Sequence, residues 1–363
     1  MPSMEELIHD WNGELVVSAF DRDSGAWIFL AIHDRTLGMA LGGCRLSVYP
    51  SPADGLRDAL RLSQGMTFKW AAIDFPFGGG KTVLAAPGPL EPEVRERLLL
   101  RLGDMIQSLG GIYGTGGDLG TSAADMAVVG RRTRWVFGRP PDQGGRGDPG
   151  PWTALGVHAG LRAACERAFG DDSLAGRTVL VQGVGSVGAP LARRLVADGA
   201  RLLLTDALPE RARRLAHELS ARVVPPEEAY MTECDVFAPC AIGGILNERS
   251  IPSLRCRVAA GSANNQLERD TDADRMHEQG ILYIPDFVIN AGGAIAHSAL
   301  ELLGWTEAQA QERIERIRET VDEILDEAER RNESPLHEAT RRADRNLAEA
   351  RAARQQEESL LPV

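Results

Sequence analysis

A glycine-rich segment in the middle of the chain constrains the fold more than any other feature. It reads GVGSVG and places Gly183, Gly185 and Gly188 directly after an apolar run, TVLVQ. A helical stretch, APLARRLVADG, and a second apolar run, RLLLTD, follow it. Glycine patterns of this kind are common, but between a strand and a helix they become specific. The order predicts a βαβ unit, and therefore an α/β domain.

The three glycines have separate roles in a dinucleotide site of the Rossmann type. The first permits a tight turn, the second lets the backbone approach a pyrophosphate, and the third lets helix and strand pack closely. The helix N-terminus offers free N–H groups to the phosphates. The second strand ends at Asp206, whose carboxylate can bind both ribose hydroxyls and repel a 2′-phosphate. NAD is therefore favoured over NADP, and the neighbouring Arg211 keeps NADP open as an alternative.

The length of 363 residues predicts two domains. The segment RPPDQGGRGDPGP, at 139–151, has no apolar side chain, so we expect the boundary there. The predicted divisions are 1–140, 151–310 and a helical C-terminus over 311–363. Periodicity predicts strands at 14–20 and 26–33, a strand-like stretch ending in the glycine run at 78–80, and helices at 52–66, 92–109, 154–169, 314–328 and 338–355.

Composition and charge exclude several classes of function. The net charge of −12 argues against a nucleic-acid partner. No apolar run is long enough to span a membrane, and the acidic start MPSMEELIHDWNGE does not resemble a signal peptide, so we expect a cytoplasmic protein. We expect neither disulfides nor a metal site, because neither the histidines nor the scattered cysteines have ligand spacing: Cys44, Cys165, Cys234, Cys240 and Cys256.

Lysine is rare, yet Lys69 and Lys81 lie in apolar or glycine-rich surroundings, GMTFKWAAI and PFGGGK. An apolar cleft disfavours the charged form of a lysine and lowers its pKa toward that of a general base. Alternatively, each lysine ends an element and extends its ammonium to water. The run GGGK is not a phosphate-binding P-loop, because Phe75 occupies the position that needs a glycine.

Asp118 is a further candidate. It lies in GIYGTGGDLGTSAADM, among glycines and small residues that let a substrate approach the backbone. The alternative is an ordinary turn residue or helix cap.

Taken together, these residues resemble the leucine/phenylalanine/valine dehydrogenase branch of the glutamate dehydrogenase superfamily, over about Asp10 to Arg354. The motifs that carry the resemblance are LGMALGGCR, GMTFKWA, FGGGKTVL, GDLGTSAADM, TALGV, VQGVGSVG, DVFAPCAIGGILN, AAGSANNQL and IPDFVINAGGAI, in the order of the family. The resemblance implies a reversible NAD-dependent oxidative deamination of a hydrophobic L-amino acid to its 2-oxo acid and ammonia.

The resemblance also implies residue roles. Lys81 matches the catalytic lysine that activates water, Asp118 its partner in proton transfer, and Lys69 the lysine that pairs with the substrate carboxylate. Two neighbouring lysines would depress each other's pKa. The other implied substrate residues are Gly43, Met66, Gly116, Asn264 and Ala294. The implied cofactor residues are Gly183, Gly185, Ser186, Val187, Gly188, Asp206, Thr153, Cys240, Ala241 and Asn290.

At the domain level, the resemblance implies an N-terminal α/β domain for substrate binding and oligomerisation, and a Rossmann-type NAD-binding domain. The C-terminal helices would pack back toward the first domain, the active site would lie in the cleft between domains, and the protein would be a homo-oligomer.

The chain departs from the family pattern at Met39, Cys44 and Trp70, and Trp70 could change the shape of the pocket. The small Ala294 and the LGW of residues 303–305 are similar to phenylalanine dehydrogenases, whereas RWVFGRPPDQGGRGD is similar to valine enzymes. We expect a bulky hydrophobic substrate.

Two other functions compete with this one. The first is an inactive NAD-binding regulatory or scaffolding homologue, which would not need Lys69, Lys81 and Asp118 together. The second is a sister enzyme for a polar amino acid, for which the quoted pocket motifs offer no extra cation.

Overall fold

A computed structural model describes residues 4–360 of the chain, with side chains from 5 to 356. Residues 1–3 and 361–363, the ends of the first and third predicted domains, lie outside it. The chain forms two compact units. The first contains the described residues up to Gly147, His297–Gly304 and the segment from Ala343 onward; the second contains Asp148–Ala296 and Trp305–Arg342. Within 4–360, no helix combines the length and apolarity needed to cross a membrane.

The first unit is built on a five-stranded mixed sheet. Its elements are α1 (Met4–Trp11), β1 (Leu15–Phe20), β2 (Trp27–Asp34), β3 (Ala40–Val48), α2 (Pro52–Ala72), β4 (Gly78–Ala86), α3 (Pro92–Ser108), β5 (Tyr113–Gly117) and α4 (Ala123–Gly130). The strand order is β1-β2-β4-β3-β5. β2 pairs antiparallel with β1 and β4, and β3 pairs parallel with β4 and β5. The predicted strands at 14–20 and 26–33 are thereby confirmed.

The glycine run begins the central strand of this sheet, so the prediction of a strand that ends there was wrong. β4 is buried along its whole length. A Cβ on Gly79 would lie 2.0 Å from Thr67 Oγ1 of α2, and one on Gly80 would lie 2.6 Å from the ring of Tyr113. The glycines therefore permit close packing. The helix α2 continues to Ala72, beyond the predicted end, and residues 73–77 connect it to β4.

Alternation along β4 separates two apolar layers. Val83 and Ala85 pack with Leu56, Ala59 and Leu60 of α2. The opposite face, which includes Leu84, packs against α3 and α4. Lys81 shares the parity of Val83 and Ala85, so it lies on the face that α2 covers.

The second unit contains a six-stranded parallel sheet of order β11-β10-β9-β6-β7-β8. Its elements are α5 (Gly150–Phe169), β6 (Thr178–Gln182), α6 (Gly188–Ala197), β7 (Arg201–Thr205), α7 (Pro209–Leu219), β8 (Arg222–Val223), β9 (Val236–Pro239), β10 (Val258–Ala259), α8 (Thr271–Glu278), β11 (Leu282–Tyr283) and α9 (Asp286–Ile289). This is the order of a dinucleotide-binding sheet, with its switch point between β6 and β9. The α/β prediction is confirmed.

The C-terminal helices are α10 (Gly292–Glu301), α11 (Glu307–Glu315), α12 (Ile317–Arg331) and α13 (Pro335–Leu360). The predicted helix at 314–328 is divided at Arg316, which caps α11 and precedes α12. Its apolar positions are buried as the periodicity indicated: Ile314, Ile317, Val321, Ile324, Leu325 and Ala328. Of the predicted C-terminal segment, residues up to Arg342 cluster with the second unit and those from Ala343 with the first.

Candidate active site

Three of the predicted residues form a row across the first sheet. Gly43 of β3 pairs with Gly116 of β5. On its other side Cys44 pairs with Thr82, so Gly43 lies opposite Lys81 of β4. The two residues next to Lys81 along this row, Gly43 and Gly116, have no side chains. The aliphatic part of the Lys81 side chain therefore has room within a close-packed sheet.

Asp118 follows β5 and reaches this row. Its Oδ2 lies 2.6 Å from Lys81 Nζ, and the side chains of Lys81 and Asp118 are 8% and 22% exposed. A Cβ on Gly43 would lie 2.7 Å from Asp118 Cβ and 3.3 Å from Lys81 Nζ. The glycine thus leaves the space in which the two charges meet.

A turn fastens Asp118 to β3. Thr121 Oγ1 donates to the Cys44 carbonyl at 2.7 Å, and the Asp118 N–H donates to the same hydroxyl at 3.0 Å. Burial raises the pKa of the Asp118 carboxyl, but Lys81 and then Arg45 more than offset it and lower this pKa to about 2. Asp118 is therefore a carboxylate at neutral pH.

The sequence did not single out Arg45, which also contacts Asp118. Its Nε lies 3.2 Å from Asp118 Oδ2, and its Nη1 lies 2.9 Å from Asp58 Oδ2 on α2. Arg45 lies two residues after Gly43, on the same face of β3. Its place in the motif LGMALGGCR was a signal, whereas Asp58 stands in an ordinary charged helix pattern.

Lys69 and Met66 lie three residues apart in the last turns of α2, on one side of the helix. Both are half-buried. Because α2 packs on the face of the sheet that carries Lys81, both predicted substrate residues lie on the helix that covers this face.

Gly116 packs against an aromatic side chain that the sequence analysis missed. A Cβ on Gly116 would lie 2.2 Å from Phe137 Cε2. The Phe137 ring in turn meets the ring of the buried His297 edge to face, with centroids 6.5 Å apart. No local sequence pattern predicts this contact, because Phe137 and His297 are distant in sequence and meet only in the folded unit.

Two departures from the family pattern belong to the core. Trp70 is buried among Phe75 and Phe77, and its indole N–H donates to the Leu41 carbonyl at 3.4 Å. Cys44 is fully buried, and burial raises its pKa to about 12. Trp70 therefore fills the core, which weakens its case as a pocket residue.

The glycine loop of the second unit lies at the switch point. Gly183 has φ +92°, and a Cβ on Gly188 would lie 1.9 Å from the Gly183 carbonyl oxygen, so the loop and α6 are in contact. Gly185 has no atom within 4 Å of an added Cβ. Val187 is the cap of α6, and Ser186 Oγ donates to Asp148 at 2.6 Å.

Cys240 and Ala241 follow β9, across the switch point from this loop. The Cys240 N–H donates to the Gln182 carbonyl at 2.7 Å. A Cβ on Gly183 would lie 2.7 Å from the Ala241 Cβ. Both predicted cofactor residues therefore adjoin the glycine loop.

Asp206 holds the glycine loop with one carboxylate oxygen and its own turn with the other. Oδ2 accepts the Val184 N–H at 2.9 Å, and Oδ1 accepts the Leu208 N–H at 2.8 Å. Each oxygen has a second lone pair, so the carboxylate can also accept ribose hydroxyls.

The remaining predicted residues form a group at α9 and α10. Asn290 Nδ2 donates to Asn264 Oδ1 at 2.8 Å. A Cβ on Gly293 would lie 2.4 Å from Thr153 Oγ1 on α5, and Ala294 is the next residue, half-buried. The second unit thus brings together Asn264 with Asn290, and Thr153 with the segment that carries Ala294.

This geometry fits a dinucleotide. The open space at Gly185 admits a pyrophosphate at the start of α6, and Asp206 stands at the end of β7 where a ribose would lie.

Comparison with known proteins agrees with the geometry of both units. A family model described as glutamate/leucine/phenylalanine/valine dehydrogenase matches residues 204–355. A second, described as the dimerisation domain of the Glu/Leu/Phe/Val dehydrogenases, matches residues 18–139.

Named relatives match nearly the whole chain. The leucine dehydrogenase of Geobacillus stearothermophilus is 44% identical over 349 residues, which cover 96% of this chain and 94% of that protein. The valine dehydrogenase of Streptomyces albus is 40% identical over 356 residues, 97% of each. The crystal structure of L-tryptophan dehydrogenase from Nostoc punctiforme superposes with a TM-score of 0.84 at 35% identity, covering 96% of this chain and 100% of that one.

Proposed function

The chain belongs to the glutamate/leucine/phenylalanine/valine dehydrogenase family, and from this premise we propose that it oxidises a hydrophobic L-amino acid reversibly to the 2-oxo acid and ammonia. The protein is an amino-acid dehydrogenase and uses NAD. The observation that carries the proposal is the buried pair of Lys81 and Asp118, 2.6 Å apart. A protein that only binds a dinucleotide has no need of a buried lysine–carboxylate pair.

Lys81 is the proton-transfer group of this proposal. When bound, NAD supplies the acceptor for the hydride of the substrate Cα. The neutral Lys81 amine takes a proton from the water that adds to the imino carbon, and it returns a proton to the departing ammonia. Asp118 orients Lys81 and stabilises its ammonium through their hydrogen bond.

Lys69 binds the substrate carboxylate in this scheme, since its place on α2, above the face of the sheet that holds Lys81, supports that role. Gly43 and Met66 shape the surroundings of the two lysines. Asn264 and Asn290, which are hydrogen-bonded to each other, orient the bound substrate and the nicotinamide.

The cofactor is held by the second unit. The loop of Gly183, Gly185, Ser186, Val187 and Gly188 holds the pyrophosphate, and Asp206 holds the ribose. Thr153, Cys240 and Ala241 flank the nicotinamide half.

The substrate is a bulky hydrophobic amino acid. The resemblance to the family gives Gly116 and Ala294 each a role in accepting its side chain, and in the first unit Phe137 adds an apolar surface beside Gly116. Ala294→Val removes about two methyl groups of space, so the kcat/KM ratio of phenylalanine to valine should fall about tenfold or more. A ratio that does not change would remove Ala294 from the pocket.

We also propose that the protein is a homo-oligomer. β1 is the outermost strand of the first sheet, and its Leu15 and Phe20 are 36% and 44% exposed. An apolar edge strand favours pairing with a second copy. Light scattering at micromolar concentration should give a mass above the 39.2 kDa of one chain; a monomer contradicts the proposal.

The decisive experiment follows NAD reduction with a panel of L-amino acids, and with the D-enantiomers as controls. We expect turnover with phenylalanine, leucine or valine. No turnover with any member would favour the inactive homologue, and a preference for glutamate would favour the sister enzyme.

A further inference from the structure

A line of alternating charges extends from the Lys81–Asp118 pair to α2. Asp118 Oδ2 contacts Lys81 at 2.6 Å and Arg45 Nε at 3.2 Å. Arg45 Nη1 contacts Asp58 Oδ2 at 2.9 Å. The Tyr49 hydroxyl donates to the same Asp58 oxygen at 2.7 Å. Each charge in this line therefore has a neighbour of opposite sign.

The line is shielded from water and counter-ions. The side chains of Arg45 and Asp58 are 21% and 15% exposed. Partly buried charges are screened less than surface charges, so they act on one another more strongly. Arg45 bridges two carboxylates with different guanidinium nitrogens, which fixes its position on both sides.

We propose that Arg45 is a positioning residue of the reaction: it keeps Asp118 a carboxylate while Lys81 gives up and regains its proton, and Asp58 with Tyr49 holds Arg45 in place for this. The inference rests on the function proposed above. A base must be neutral for part of the cycle, and Asp118 then loses its closest cation. Without Arg45, the buried carboxyl would compete for the proton.

Other ionisable groups around the pair do not supply this charge. Burial raises the pKa of Cys44 to about 12, so its thiol is neutral. Burial and the contact with Asp58 raise the pKa of Tyr49, which is neutral as well. Asp125 of α4 is engaged by Arg95 at 2.7 Å. Arg61 of α2 contacts Asp58 Oδ1 at 2.9 Å, so its charge is engaged by Asp58. Lys69 is a further cation on α2, and its proposed role is to bind the substrate.

The test compares two substitutions with opposite electrostatic signs. Arg45→Gln removes a cation, so the proton of the Lys81–Asp118 pair should leave at higher pH. The acidic limb of the pH profile of kcat/KM should therefore move to higher pH by about one unit. Asp58→Asn removes an anion and should move that limb to lower pH. KM for the amino acid should stay within about twofold while kcat falls about tenfold in Arg45→Gln.

Matched controls separate charge from structure. Arg57 lies on the same helix as Asp58, but it pairs with Asp54 at 2.5 Å. Arg57→Gln should therefore leave the acidic limb of the kcat/KM profile at its wild-type pH. Arg45→Lys keeps the charge and should shift the limb by less than about half of the Arg45→Gln shift. Limbs that move in the same direction in Arg45→Gln and Asp58→Asn would overturn the proposal.

A second measurement does not need activity. Only two of the 40 Lys and Arg residues are lysines, so acylation of Lys81 by acetic anhydride can be followed by mass spectrometry. Only the neutral amine reacts. The pH at which the acylation rate of Lys81 is half of its maximum should rise in Arg45→Gln and fall in Asp58→Asn.

The two measurements distinguish the failures. Unchanged Lys81 midpoints would refute the role of Arg45 even in an active enzyme. Shifted midpoints in a protein that oxidises no amino acid would refute the proposed function alone. If Arg45→Gln does not fold, the direction of the Asp58→Asn shift decides.

Discussion

The two units build their candidate sites from different parts of the chain. In the second unit, one loop between β6 and α6 supplies backbone groups, and a single carboxylate, Asp206, holds that loop with one oxygen and its own turn after β7 with the other. In the first unit, side chains from β3, β4, α2 and the turn after β5 meet around Lys81. One site depends on local backbone shape, the other on charges that only the sheet brings together.

Glycines show the same difference. Gly185 leaves open space for a ligand, since nothing lies within 4 Å of an added Cβ. Gly43 leaves space for the protein itself, because an added Cβ would lie 2.7 Å from Asp118 Cβ. A substitution in the loop should therefore act on cofactor affinity, and one in the sheet should act on the charged pair and on stability.

Lys81→Ala should give the largest effect and the sharpest separation of the two units. It removes the proposed base, so kcat should fall about 10²–10⁴-fold, while the Kd for NADH should hardly change because the loop is untouched. Steady-state kinetics and NADH fluorescence titration measure the two quantities. A variant that keeps more than about a tenth of the wild-type kcat contradicts the role of Lys81.

Gly185→Ala should produce the reverse result. The added methyl group meets no protein atom but projects where a pyrophosphate would approach, so NAD affinity should fall by about tenfold or more with little change in Tm.

Gly188→Ala is the control for Gly185→Ala. Its Cβ would lie 1.9 Å from the Gly183 carbonyl oxygen, and this overlap should cost about 1–3 kcal/mol of stability. Equal losses of Tm in the two variants would show that Gly185 is structural as well.

How far the sequence could predict each site follows from the same comparison. The GVGSVG loop was readable because its strand, turn and helix are neighbours in sequence, and the sheet order of the second unit confirms that fold. Lys81 and Asp118 were assigned through family motifs. The 2.6 Å distance between their charged atoms depends on β4, β3 and β5 lying side by side, which no local pattern predicts. Arg45 and Asp58 were missed because a charged residue on a strand or helix commonly faces water.

The glycine run shows a different limit. Glycine marks loops in most sequences, so the strand was predicted to end at 78–80. In the sheet these glycines begin β4, since Thr67 and Tyr113 pack where side chains would stand. Close backbone packing between distant elements has no local pattern.

Acid should act on the first unit through Asp118. Its pKa is lowered to about 2 in the folded state, so its stabilising effect is complete above the unfolded value near 3.8 and is lost as the pH falls through 2. The difference corresponds to about 2 kcal/mol. Urea unfolding of the wild type should lose stability between pH 4 and 2 more steeply than Asp118→Asn; parallel curves would contradict this contribution.

Asp206→Ser should give the smallest effect, because only one of the two backbone hydrogen bonds of Asp206 holds the glycine loop, which otherwise stays intact. In the wild type, Oδ2 accepts the Val184 N–H and Oδ1 accepts the Leu208 N–H. A serine hydroxyl can keep one of these bonds at most, so NAD should bind more weakly. The repulsion of a 2′-phosphate disappears with the charge, so NADP should bind better.

The ratio of kcat/KM for NAD to that for NADP should therefore fall about tenfold in Asp206→Ser, or about 1.4 kcal/mol. Asp206→Asn is the matched control, because it removes the charge and keeps an oxygen acceptor of nearly the same shape. If both variants lower the ratio, the charge selects the cofactor. If Asp206→Ser weakens NAD and NADP equally, Asp206 braces the loop without selecting between them. A wild type that uses NADP as well as NAD would contradict the selection before any variant is made.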